Sequence, residues 1–141
     1  MQISNNGLSL IKSFESCKLH AYQDQRGIWT IGWGHTEDVR FGESCSQGFA
    51  DLLFKNDTDK ISSRVGTLIK VFVNQNQFDA CCSFAYNVGA NAFSLSTLLR
   101  DINARNFHHA ADQFLLWVNV NGKYSEGLAF RRQAEKALFV S

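Results

Sequence analysis

The spacing of large apolar side chains changes once along this chain. From Lys18 to Trp33 they alternate with polar residues, whereas from about Gln47 onward they recur at helical spacing. A chain patterned in this way places a short β segment early and commits the rest to helices. The two alternating runs, 18–24 and 28–33, flank Asp24-Gln25-Arg26-Gly27, which is turn chemistry, so they predict a β-hairpin. Ahead of it, Ser4 or Asn5 caps a helix on which Leu8, Ile11 and Glu15 recur, and Glu15 ends that helix on its apolar side. The Gly-containing polar run 36–46 has room for one further short strand.

Beyond Gln47, Phe49, Leu52 and Leu53 begin a helix, and Ile61, Val65, Leu68 and Ile69 continue or restart it toward Phe72. Asn74 or Asn76 caps the next helix and Gly89 stops it; Ser94 or Ser96, Asn106 and Ser125 open three more. There is no proline and no internal repeat. The expected architecture is α+β within a single domain, 1–141. It has a small N-terminal lobe with the hairpin (about 1–58), a connecting helix (about 59–72) and a larger all-helical lobe (about 73–141), with a cleft between the lobes.

Composition narrows the function. With 45% hydrophobic residues, twelve Phe and three Trp in 141 residues, the chain has a core to bury, which excludes a disordered class. No apolar stretch approaches the ~20 residues of a bilayer crossing, and no signal peptide is visible, so synthesis in the cytoplasm and no membrane span are expected. Net charge is +1, too small for the electrostatic footprint of a nucleic-acid binder, although residues 61–141 carry +3 and residues 1–60 carry −2. Cys17, Cys45, Cys81 and Cys82 read as reduced thiols, because a chain with this much core needs no disulfide framework.

No phosphate-binding loop, nucleophile elbow or paired C-x-x-C motif is present. His108, His109 and Asp112 have a spacing that suits a metal, yet adjacent histidines point to different faces of a helix, so no metal and no cofactor is expected. His35 reads as a structural histidine bonded to a carboxylate. The acidic residues carry more. Glu15 at a helix end and Asp24 at a hairpin lip can be aimed at one point, one desolvated and the other in polar surroundings, and that asymmetry suits glycoside hydrolysis. Thr30 on the partner strand offers a hydroxyl to help Asp24 hold a water. From spacing alone, a helix-end Glu and a turn Asp with no chemical role fit equally well.

At these residues the chain resembles the phage-type lysozymes, glycoside hydrolase family 24, of T-even and lambdoid phages. Glu15, Asp24 and Thr30 meet the pattern E-x8-D-x5-T, within Phe14-Glu15 and Trp29-Thr30-Ile31-Gly32-Trp33-Gly34-His35-Thr36. Asn74 to Ala80, Ser83 to Gly89, Ser96 to Leu99, Ala110 to Phe114 and Arg131 to Glu135 match later motifs in order. The resemblance implies a lysozyme-like fold and inverting cleavage of the β-1,4 bond between N-acetylmuramic acid and N-acetylglucosamine, for lysis of a bacterial host. Under it Glu15 is the general acid, Asp24 the partner that positions or activates water, and Thr30 its helper. Thr36, Tyr86, Asn87, Ser96 and Gln113 contact the glycan, and Arg131 or Arg132 approaches Glu15. The implied partner is bacterial peptidoglycan, met by a monomer in the periplasm after release through a hole-forming protein or a secretion apparatus. The competing reading is a catalytically silent glycan-binding or phage structural module.

Overall fold

A computed structural model describes residues 1–141. Helix α1 (Asn5–Phe14) starts at Ser4, whose hydroxyl accepts from the Gly7 amide, and stops where Glu15 turns extended at φ −101°. Strands β1 (Lys18–Gln23) and β2 (Trp29–Gly32) form the antiparallel hairpin, with Tyr22 opposite Thr30 and Gln23 opposite Trp29. The run after it makes no third strand. It touches β1 through the single bridge His20–Ser44, because Gly34, Asp38 and Gly42 all take positive φ and interrupt the extended backbone.

One helix, α2 (Gln47–Leu68), follows without a break. The connecting helix expected over 59–72 is therefore the second half of a longer element, and it ends four residues early. Ile69 turns extended there, and the Asn103 side chain accepts from the Lys70 amide and donates to Leu68 O, replacing the next helical bonds. Helix α3 (Gln75–Val88) opens on a capping box between Asn74 and Gln77 and closes at Gly89, φ +97°. All residues from Phe78 to Ala85 are buried, so α3 is the axis of the molecule. Around it lie α4 (Ala90–Ser94), α5 (Thr97–Asn103), α6 (Phe107–Gln113) and α7 (Glu126–Val140). Phe84 stands edge-on to Phe93, Phe114 and Trp117, with ring centroids 6.1, 5.6 and 5.2 Å away.

Two features redraw the expected lobes. The helical lobe is not purely helical, since β3 (Asn119–Val120) and β4 (Lys123–Tyr124) form a second hairpin; Asn121 and Gly122, at φ +51° and +78°, make its two-residue turn. Helix α1, assigned by order to the small lobe, packs on α3 instead. The buried Asp79 of α3 accepts from both the amide and the hydroxyl of Ser4, and a Cβ on Gly7 would stand 2.8 Å from the Asp79 carboxyl carbon. Its C-terminal residue thus reaches the small lobe from a helical base.

Candidate active site

A cleft of about 830 Å³ opens between the first hairpin and the helical lobe, and Glu15, Asp24, Thr30, Thr36, Tyr86 and Asn87 all line it. Ser96 and Gln113 do not. Ser96 is a buried helix cap whose hydroxyl donates to Phe93 O and accepts from the Leu99 amide; Gln113 is the last residue of α6. The hydroxyl of Ser96 is committed to backbone groups, so a glycan would find nothing free there.

Glu15 leaves α1 pointing into the cleft with its side chain 22% exposed. Burial pushes its carboxyl above the usual range, the Arg131 guanidinium pulls back down, and the charge of Asp24 adds to the rise. Gly34 permits this placement: a Cβ there would lie 2.7 Å from Glu15 Oε2, and its φ of +95° disfavours any side chain. Asp24 is held quite differently. Its Oδ1 accepts from the amides of Arg26 and Ile28 at 2.8 and 2.9 Å, an Asx-type turn, while Oδ2 lies 3.5 Å from the Arg26 guanidinium. Thr30 is buried and donates its hydroxyl proton to Ile28 O at 2.8 Å, which leaves its lone pairs to accept. One carboxyl is thus desolvated, and the other is fixed by donors with one oxygen spare.

The helical side is braced from behind. Tyr86 donates to Trp33 O at 2.6 Å, so the phenol ties α3 to the loop after β2; burial drives its ionisation well up. Arg132 donates to Asn87 Oδ1, which fixes the carboxamide of this cleft-lining residue and commits its oxygen, so that its nitrogen is the group left to donate. His35 bridges Asp57 and Glu37 O at 2.7 and 2.9 Å, tying the loop to α2. His109 faces Asp101, and Asp112 faces Lys136, so the trio with a metal-like spacing does not converge.

Among the lining groups that escaped the reading of the sequence are Tyr22, Arg26, Asn119 and Asn121. Tyr22 shares the face of Thr30 by register, which strand alternation could have given. Asn121-Gly122 is the strongest short hairpin signal in the chain and places the second hairpin at the cleft mouth, where Asn121 donates to Gln25 O at 3.3 Å.

The phage lysozyme family model matches residues 12–135. The endolysin of an Acyrthosiphon pisum secondary endosymbiont phage is 43% identical over all of this chain and 99% of its own length. That of Salmonella phage P22 is 44% identical with the same coverage. Among solved structures, the muramidase domain of SpmX from Asticaccaulis excentricus superposes with a TM-score of 0.89 at 38% identity, covering 99% of this chain and 98% of that domain.

Proposed function

This chain belongs to the phage lysozyme family, and on that premise we propose that its cleft hydrolyses the β-1,4 bond between N-acetylmuramic acid and N-acetylglucosamine in peptidoglycan. The protein is a muramidase of the endolysin type. Within the family, the Glu15–Asp24–Thr30 set supports assignment to glycoside hydrolase family 24, alongside the lysozymes of lambdoid and T-even phages.

The observation that carries the mechanism is the contrast between two carboxyls in one cleft. Glu15, whose proton affinity is raised by burial, donates to the leaving glycosidic oxygen. A water seated between Asp24 Oδ2 and Thr30 Oγ1 attacks the anomeric carbon from the opposite face and passes its proton to Asp24. Tyr86, Thr36 and the amide of Asn87 orient the sugars. The reaction inverts, so the first product carries the α configuration. The division of the domain at the hairpin lobe and the helical lobe serves this chemistry by placing one carboxyl on each side of the bound strand.

No helix is long and apolar enough to cross a membrane. We place the protein as a monomer made in the host cytoplasm and released to the periplasm by a hole-forming protein or a secretion apparatus; relatives named SAR-endolysins support a link to export.

Glu15→Gln tests the assignment on outer-membrane-permeabilised cells. Clearing should fall to the limit of detection with the helical dichroism unchanged, and retention of more than a few per cent would move the acid elsewhere. Proton NMR of the anomeric signals in the first minutes should show α product. Folded wild-type protein that cleared nothing would favour a silent glycan binder.

A further inference from the structure

At the helical wall of the cleft three charged side chains of α7 are buried: Arg131, Arg132 and Glu135. Glu135 does not line the cleft, unlike the two arginines. Its carboxylate accepts from every partner it has: Ser83 Oγ at 2.6 Å and Arg131 Nε at 3.2 Å on one oxygen, Arg132 on the other. Arg131 is further fixed by donation to Ser83 O at 3.1 Å, which leaves only its Nη1 toward Glu15, at 3.6 Å. That is an ion pair held at arm's length, while the bond to Glu135 is shorter.

The Arg131 guanidinium beside a residue that must donate a proton is a liability, because it favours the ionised carboxyl, and Arg132 adds a second positive charge next to Arg131 in the same cluster. The fourth charge decides the balance. With Glu15 protonated, the cluster of Arg131, Arg132 and Glu135 carries one excess positive charge; without Glu135 it would carry two. We propose that Glu135 is a positioning residue for the reaction: it binds both arginines from behind, absorbs part of their charge, and thereby leaves Glu15 its proton. This rests on the reading of Glu15 as the general acid.

The other groups facing Glu15 do not substitute for it. They are Arg131 from α7, Tyr22 from β1, Asp24 and Arg26 from the hairpin turn, and Tyr86 from α3. Those around Glu135 are its two arginines and, from α3, Ser83 and the Cys81 thiol, which the Glu135 charge helps push up. Of these only Glu135 is an anion bonded to both arginines.

The test uses the full chain with glutamate labelled at the side-chain carboxyl carbon, the Glu15 signal being assigned by its loss in Glu15→Gln. In Glu135→Gln the Glu15 titration midpoint should fall by about one pH unit, and the basic limb of the kcat/KM profile should fall with it. Glu135→Asp, which keeps the charge, should restore both. Arg132→Gln should move the midpoint upward. A folded Glu135→Gln whose midpoint stays in place, with activity lowered uniformly across pH, would reduce Glu135 to a packing role and overturn the proposal. Should Glu135→Gln not fold, Arg132→Gln decides: a midpoint that rises supports the proposal, and one that is unmoved or falls overturns it. A midpoint that moves while the rate profile does not would leave the charge role of Glu135 standing and remove Glu15 as the acid.

Discussion

In the helical lobe sixteen buried residues, six of them on α3, form one apolar cluster that includes Phe84, whereas in the small lobe the buried apolar residues are Ile31, Ala50 and Phe54. The small lobe compensates with polar ties: the Asp24 turn, the His35–Asp57 pair and the Tyr86 bond to Trp33 O. It also borrows packing, since Phe54 meets Tyr86 of α3 with ring centroids 5.8 Å apart. The contrast shows a division of labour. One region supplies cohesion through area and shape, and the other presents chemistry from backbone turns that bury little. Local opening should therefore begin in the small lobe, whose few buried contacts place it at the low end of the stability range.

The hardest blow to this contrast is Phe84→Ala, which empties the centre of three edge-on ring contacts and should cost about 3–5 kcal/mol. Calorimetry reads it as a large drop in the global transition. Phe54→Ala should instead leave α3 amides protected from hydrogen exchange while residues of the first hairpin exchange faster; equal loss of protection in both lobes would erase the distinction.

Gly34→Ala comes next. Its new Cβ meets the Glu15 carboxylate at 2.7 Å on a backbone at φ +95°, so about 1–3 kcal/mol of strain is expected, and displacement of the acid should cost on the order of 100-fold in kcat/KM. A smaller effect of opposite sign belongs to Glu15→Gln. Burial raises the proton affinity of Glu15 in the folded state, so its contribution to stability is present at low pH and is lost as pH rises through the raised value. The amide should therefore stabilise the fold at pH 7, with the gain vanishing below the ordinary glutamate range, where both side chains are neutral. Thermal melts at two pH values check this. Smallest is Asn121→Ala, which removes the contact to Gln25 O across the cleft mouth and should change stability by less than about 0.5 kcal/mol.

What could be read from the sequence follows the same contrast. Caps and periods announced most of the helices: Ser4, Asn74, Ser96 and Ser125, each among the cap candidates, accept the capping bond, whereas Asn106 starts α6 without one and the short α4 was not announced. Glu15 and Asp24 could be picked out as a pair because helix end and turn are local features, and both line one cleft. Two things were not legible. The unbroken length of α2 depends on the absence of any stop signal between Gln47 and Leu68, and its end depends on Asn103, which is distant in sequence. Ser96 illustrates the other limit. A motif can align while its hydroxyl is committed to backbone groups inside the lobe, and no linear pattern tells the two uses apart. The bonding of Glu135 to both arginines is hidden for the same reason: one of Arg131 and Arg132 was expected near Glu15, but no linear pattern shows that Glu135 and Ser83 meet both guanidiniums.

Helix α1 precedes the small lobe in sequence, yet Asp79 fastens its first turn to α3. Glu15 is thus carried by the helical lobe, and Asp24 by the hairpin opposite. The two carboxyls behave like the tips of a pair of calipers, with no single rigid element setting the gap between them. Any motion that widens the groove also spreads Glu15 from Asp24, so under the proposed mechanism admission of a glycan strand and chemistry share one mechanical coordinate and cannot both be at their best at the same opening.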